Sequence, residues 1–351
     1  MPDLKGEKMM GVGIRGAGQV AYEHARALAK NPQTFLAAVC SRTIESAKSL
    51  AEAFSEQGGA PVKVYEHYAD MLADPAVAVV SICMPNYLHA REAMDAFKAE
   101  KHLILEKPVA ITWEELHELR AAAGKAKTSS VVSFVARWHP MVKNLKALLE
   151  RDALGHIYYT EVDYWHGIKK TFSSYNWIRC KEFAGGAMIT GGCHAADLAR
   201  YFKGEVAEVS AYRCKNRDDF DYYTTLVAAV RFADGSVGKL SASLDGLAFP
   251  YQMNIDLLGS RGAIRDNRIF SRFLFPEQDD FITIPSATLN TGAVSHHPFQ
   301  QEIDNLVDHI MTGKPVLSDV LDACKSMEIA LAVEESAANG KPVSIRPSAS
   351  E

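Results

Sequence analysis

"GVGIRGAGQVAYEHA" (residues 11–25) begins as an apolar strand, breaks into glycines and resumes as a helix. The break follows the spacing Gly16-x-Gly18-x-x-Ala21. In that spacing the first glycine makes a tight turn and the second lets backbone approach a pyrophosphate. The small third residue packs helix on strand. Gln19 and Val20 open the helix, where unpaired N–H groups and the positive end of the dipole suit phosphate. Glycines alone say little, but a strand before and a helix after them give the context of a dinucleotide site. The second strand, "FLAAVC", ends at Ser41-Arg42-Thr43. An acid there would bond the ribose 2′-hydroxyl, whereas a small residue beside arginine tolerates a 2′-phosphate. The expectation is NAD(P), leaning to NADP. The alternatives are that Arg42 stacks on the adenine of either cofactor or merely starts the next helix.

Outward from this loop, short apolar runs alternate with helical patterns. "VKVY", "VAVVSIC", "HLILEKP" and "SVVSFV" follow as strands, and "TIESAKSLAEAF" and "HAREAMDAFKAEK" as helices. Thr112 and Glu115 form a capping-box pattern at the head of a further helix. Strands apolar on both faces, alternating with helices, imply a parallel sheet covered on both sides. The texture changes near residue 136. "HIYYTEVDYWHG" is a longer, alternating strand, and "YTTLVAAVRFADGSVGKLSASL" is a hairpin turning at Asp234-Gly235. "YQMNIDLLGSRGAIRD" is a second hairpin, and two helices that end at glycine close the chain. The expected architecture is α/β: a doubly wound parallel sheet over 1–135, then an α+β domain with a large, mainly antiparallel sheet over 136–351.

The 351 residues carry a formal charge of −5, which argues against nucleic acid and anionic membrane surfaces as partners. No apolar h-region and no bilayer-length apolar run is present. The six cysteines are scattered, with no C-x-x-C pair, so neither a zinc site nor a disulfide framework is expected, and a reducing cytoplasm is the simplest compartment. The first eight and last six residues read as loose tails.

Three further motifs are "MPNYLHA" (84–90), "EKP" (106–108) and "GGAMITGGCHAADL" (185–198). With the glycine loop they make the chain resemble the glucose–fructose oxidoreductase / inositol dehydrogenase / MocA family over nearly its whole length. The resemblance implies a Rossmann domain that binds a nicotinamide cofactor. It also implies a second domain with an open sheet that shapes the substrate pocket and pairs subunits as a homodimer or homotetramer. Substrates would be small carbohydrates, their nucleotide-linked forms or cyclitols, oxidised or reduced at a carbinol carbon.

By motif, Lys107 would point to the reacting oxygen, where an ammonium stabilises a developing alkoxide. Glu106 would anchor its loop, and Pro85, Asn86 and His89 would line the cofactor edge. His194 would be the general acid/base, with Asp197 one helical turn further on. The glycines of 185–192 would press that helix against cofactor and substrate, where a Cβ would intrude. Arg137, Trp165, His166, Tyr175, Asp197 and His297 are candidates for the substrate side, with Tyr164, Trp177 and Asn176 beside them. Lys169, Lys170, Arg179 and Lys181 would suit an anionic substrate group, or are a solvated run. No cluster has metal-ligand spacing.

Thr190 departs from the pattern, because the family usually has an aspartate there. Threonine cannot hold a proton as a carboxylate does, so chemistry would rest on His194 and Lys107. The departure keeps open a glycosidase that oxidises, eliminates, hydrates and re-reduces with recycled NAD. A cofactor sensor without turnover is the third reading.

Overall fold

The computed structural model describes residues 9–55, 61–245, 250–290 and 293–345. The two tails read from the sequence lie outside them. The chain divides into two compact units. The first comprises residues up to 110, 114–135 and 297–323; the second comprises 111–113, 136–296 and 324 onward.

In the first unit, strands β1 (Met10–Arg15), β2 (Thr34–Cys40), β3 (Lys63–Tyr65), β4 (Val79–Ile82), β5 (His102–Leu105) and β6 (Ser130–Val132) form a parallel sheet. Its order is β3-β2-β1-β4-β5-β6. The strand order reverses beside β1, and ligands bind outside the carboxyl ends of strands at such a switch point. The connecting helices are α1 (Gln19–Lys30), α2 (Ile44–Phe54), α3 (Tyr68–Ala73), α4 (His89–Lys98) and α5 (Trp113–Lys125). Helix α1 buries Ala21, His24, Ala25 and Leu28, one stripe at helical spacing.

In the second unit come α6 (Pro140–Glu150), β7 (Ile157–Trp165), α7 (Tyr175–Ile178), α8 (Lys181–Ala184) and α9 (Cys193–Lys203). Strands β8 (Val206–Cys214), β9 (Thr225–Phe232), β10 (Val237–Ser243), β11 (Gln252–Gly259), β12 (Gly262–Arg265), β13 (Arg268–Phe270) and β14 (Ile282–Thr283) follow. The chain ends with α10 (Phe299–Thr312), α11 (Val320–Asn339) and β15 (Val343–Ser344). Among the described residues the second sheet has nine strands in the order β14-β13-β12-β11-β7-β10-β9-β8-β15. It is antiparallel except where β7 runs parallel to β10. The expected hairpin at Asp234-Gly235 joins β9 to β10, with Gly235 at φ +88°. On β9, Leu226, Ala228, Val230 and Phe232 are buried while the alternate residues face solvent.

Helix α10 departs from the expected boundary at 136, because it belongs to the first unit. Its buried stripe is Phe299, Glu302, Ile303, Leu306 and Val307. Phe299 packs on His24 of α1 with ring centroids 4.6 Å apart, and Asn31 at the end of α1 donates to Asp304 at 2.7 Å. Among the described residues no helix is long and apolar enough to cross a membrane.

Candidate functional site

The glycine loop takes the form the sequence predicts. Gly16 sits at φ +105°, and a Cβ there would lie 2.4 Å from the Cys83 carbonyl oxygen. Its N–H bonds the Cys40 carbonyl at 2.8 Å, which ties the turn to the end of β2. Gly18 is the N-cap of α1 in ordinary extended geometry, φ −81°, and a Cβ on it would meet nothing within 4 Å. The first N–H groups of α1, at Gln19 and Val20, follow directly, and Ala21 is fully buried. Ser41 accepts a hydrogen bond from the Ser46 hydroxyl at 3.0 Å, and Thr43 caps α2. Arg42 is exposed.

After β4, Pro85 leads into a 3₁₀ turn over Asn86–Leu88, with Asn86 buried. His89 does not line an open edge. Its Nδ1 is 2.7 Å from the Pro108 carbonyl and its Nε2 is 2.6 Å from the Met84 carbonyl. Burial depresses its pKa, and a neutral ring carries one N–H, so it donates to one of these carbonyls while lying between the 84–89 segment and the Glu106–Pro108 turn. In that turn the Lys107–Pro108 peptide is cis, Glu106 and Pro108 are buried, and Lys107 is half-exposed. The Glu106 carboxylate meets His24 Nε2 at 3.2 Å. Burial opposes its charge, but His24, Lys107 and His89 outweigh that and hold its pKa below the usual value. His24 was not among the residues singled out from sequence. The available signal was a histidine on the otherwise alanine- and leucine-rich buried stripe of α1.

In the second unit, Gly185 (φ +86°) and Gly186 (φ +143°) lead into a π-helical turn over Met188–Gly192 that continues as α9. Such turns often occur at functional sites. The glycines do not make room for a ligand, which corrects the expectation. A Cβ on Gly186 would lie 2.3 Å from a Glu334 carboxylate oxygen. One on Gly191 would lie 2.5 Å from the Tyr164 ring, and one on Gly192 2.6 Å from Ala242 Cβ. The space is filled by protein, so helix and sheet approach closely. Glu334 Oε1 accepts from the Met188 N–H at 2.9 Å and supplies the cap that the glycines lack.

Thr190 and His194 are each 5 % exposed. The His194 ring stacks on Tyr164 from β7, with centroids 5.7 Å apart and planes 26° apart. The Tyr164 hydroxyl lies 3.1 Å from His166 Nδ1, and Tyr251 packs edge-on against both Tyr164 and His166. Tyr164, His166, His194 and Tyr251 therefore form one cluster. Tyr164 was a candidate for sugar stacking, but at 7 % exposure its ring is occupied by His194 instead. Sequence reading missed Tyr251 and Glu334 altogether.

Arg137 and Asp197 were expected at the substrate. The structure buries both and joins them in a two-pronged ion pair, Nε to Oδ2 at 2.8 Å and Nη2 to Oδ1 at 2.5 Å. Ser326 also donates to Asp197 at 2.7 Å. With both carboxylate oxygens engaged, this pair holds α9 in place. Breaking a buried pair of this kind costs about 3–5 kcal/mol. Trp165 follows Tyr164 on β7 and so faces the other side of the sheet, where its indole N–H donates to Ser241 at 3.0 Å. Tyr175 donates to Asp219, which Arg217 also grips. Lys169, Lys170, Arg179 and Lys181 are exposed. His297 falls in the first unit, its ring 5.6 Å from Phe299. Among the described residues no group of three or more His, Cys, Asp or Glu is placed to hold a metal ion.

Residues 10–134 match an oxidoreductase family with an NAD-binding Rossmann fold, and residues 146–345 match the C-terminal alpha/beta domain of that family. The chain belongs to the Gfo/Idh/MocA oxidoreductases. Within the family it is similar to scyllo-inositol 2-dehydrogenase (NAD(+)) of Bacillus subtilis, with 26% identity covering 95% of each chain. It is also similar to levoglucosan dehydrogenase of Pseudarthrobacter phenanthrenivorans, with 27% identity covering 73% of each. In fold it resembles the WlbA dehydrogenase of Bordetella pertussis, solved in complex with NADH and UDP-GlcNAcA. The TM-score is 0.84 at 21% identity, covering 97% of this chain and 99% of that one.

Proposed function

We propose that this Gfo/Idh/MocA member is an NAD(P)-dependent oxidoreductase that moves hydride between nicotinamide and a carbinol carbon of a sugar, glycoside or cyclitol. The observation that carries the reading lies in the first unit: Lys107 stands at the carboxyl end of β5, in the sheet whose β1 ends in the glycine turn. The residues fit a dinucleotide. Gly18 would admit a phosphate where a Cβ meets no protein atom, and the first turn of α1 offers N–H donors and dipole. When bound, the cofactor supplies the hydride acceptor or donor. Ser41 and the exposed Arg42, with no acid at the end of β2, support a lean toward NADP. The named relatives carry NAD(H), so both forms belong in every assay.

The remaining chemistry is assigned to the chain's own side chains. The Lys107 ammonium stabilises the alkoxide oxygen as hydride leaves carbon. The imidazole of His194 takes the hydroxyl proton, held in orientation by the Tyr164 ring. His166, bonded to Tyr164, is the polar group beside it for a substrate hydroxyl. Thr190 is buried next to this helix and brings no carboxylate. That favours a second reading, the NAD-recycling glycosidase, in which net oxidation is absent. All six cysteines are free, which supports a reducing cytoplasm. Tyr212, Val227, Val237 and Tyr158 are exposed on the second sheet, and we place self-association there.

Lys107→Ala and His194→Ala each abolish turnover while leaving cofactor affinity within about tenfold, about 1.4 kcal/mol. Steady-state kinetics beside cofactor fluorescence titration checks this. Near-normal turnover in either variant removes that residue from the mechanism.

A further inference from the structure

Behind the Glu106–Lys107–Pro108 turn lies a buried polar cluster that the proposed chemistry does not use. His24 projects from α1 with 0% exposure. Its Nδ1 is 2.8 Å from Ser81 Oγ on β4 and its Nε2 is 3.2 Å from Glu106 Oε1. Ser81 Oγ in turn lies 3.6 Å from Cys83 Sγ. A serine, a histidine and a glutamate in this order resemble a nucleophile triad. Ser81 is itself 0% exposed, so no substrate reaches it and the arrangement serves another purpose.

Resting on the reading of Lys107 as the group at the reacting oxygen, we infer that His24 is its positioning residue: it ties the Glu106–Lys107–Pro108 turn to the helix whose N-terminus the glycine loop opens. Two hydrogen bonds fix the turn: the Glu106 side chain is held by His24, and the Glu106 N–H donates to the Ile82 carbonyl at 3.1 Å. The Pro108 carbonyl also lies 2.7 Å from His89 Nδ1. Of the turn's three side chains, only that of Lys107 is not buried. The same helix that meets phosphate thus sets where the ammonium stands.

The charges in the cluster agree with this role. Burial opposes charge on His24, but Cys83 and Glu106 more than offset it, so the ring stays protonated. Both ring nitrogens then donate, one to Ser81 and one to the Glu106 carboxylate. Glu302 of α10 faces the same cluster. Burial pushes its carboxyl up to about 8, so it is neutral at pH 7, and its Oε1 accepts from Ser133 Oγ at 2.7 Å. His24 and Glu106 therefore form a buried ion pair, and Glu302, neutral, adds no charge beside it.

The test uses the full-length protein, NAD and NADP, and whichever sugar or cyclitol the unaltered protein oxidises fastest. His24→Leu lowers kcat at least thirtyfold while KM and cofactor Kd stay within threefold. His24→Gln, whose amide can still donate toward Glu106, recovers kcat to within fivefold of the unaltered protein. Protonation of Glu106 adds an acid limb to the kcat profile below that of the base His194; this lower limb moves to higher pH in His24→Leu and is absent in Glu106→Gln, where only the His194 limb remains. Where His24→Leu does not fold, His24→Gln and Glu106→Gln carry the test through the same pH profile. Unchanged kcat and pH profile in the His24 variants, with Lys107→Ala inactive, overturns the positioning role alone. Turnover retained in Lys107→Ala overturns the reading on which it rests.

Discussion

The two glycine stretches, 16–18 and 185–192, use the same residue for opposite reasons. At Gly18 the chain is in ordinary extended geometry and a Cβ would touch no protein atom within 4 Å. The fold has no need of glycine there, so the reason lies with what binds. At Gly186, Gly191 and Gly192 a Cβ would strike Glu334, Tyr164 and Ala242 at 2.3–2.6 Å. There the fold itself needs glycine, to let the π turn and α9 settle on β7 and β10 and bring His194 against Tyr164. A missing side chain can reserve space for a ligand or remove space between elements, and only the surrounding atoms tell which.

The comparison breaks most sharply at Gly18. Gly18→Asp places a favourable N-cap on α1, worth up to about 1 kcal/mol to the fold, yet it sets a carboxylate where phosphate would lie. Cofactor affinity falls at least about a hundredfold, about 2.7 kcal/mol, while the cofactor-free protein is as stable as before or more so. Calorimetric titration beside urea unfolding checks both halves. Unchanged affinity would mean the loop is a plain turn.

Gly192→Ala does the reverse. Overpacking against Ala242 and Met188 costs about 1–3 kcal/mol of stability, and cofactor affinity stays within about threefold. Equal losses in both quantities would show that the second stretch also faces the cofactor.

The smallest effect concerns Glu334, the cap of the π turn. Burial raises its carboxyl to about 7, with Lys181 and Arg213 pulling the other way. Its folded pKa lies above the ordinary glutamate value of 4.5, so the folded state binds more protons between about pH 4.5 and 7. Stability therefore falls as pH rises through that window and levels off above it. Glu334→Gln keeps an acceptor for the Met188 N–H and flattens this slope, which inside the window is at most about 1.4 kcal/mol per pH unit. Denaturant midpoints from pH 5 to 8 show it; parallel pH curves for the two proteins would contradict it.

Much of the fold was legible because its signals are local. The glycine loop, the strands of the first sheet, the turn at Asp234-Gly235 and the helix stops at Gly313 and Gly340 each depend on a few neighbouring residues. What escaped depends on distant ones. Strands β13, β14 and β15 have two or three residues and no periodicity to read. The parallel pairing of β7 with β10 and the return of α10 to the first unit are set by packing. In the site, residue types at motif positions pointed to Lys107 and His194, but they could not say what each side chain touches. Asp197 meets Arg137 across 60 positions, His24 meets Glu106 across 82 and Glu334 meets Met188 across 146. That is why the pairing of Asp197 with Arg137 was not foreseen and why His24 and Glu334 went unnoticed.

Net hydride transfer is the most direct test of the proposed chemistry. The purified protein is incubated in heavy water with NAD or NADP against a panel of cyclitols, free sugars and glycosides. Reduced nicotinamide is followed by absorbance and products by mass spectrometry. The expected result is reduced cofactor in stoichiometric amount with a keto product, faster with NADP than with NAD. Release of an aglycone with deuterium beside the oxidised carbon, and no net reduced cofactor, would contradict it and establish the NAD-recycling glycosidase instead.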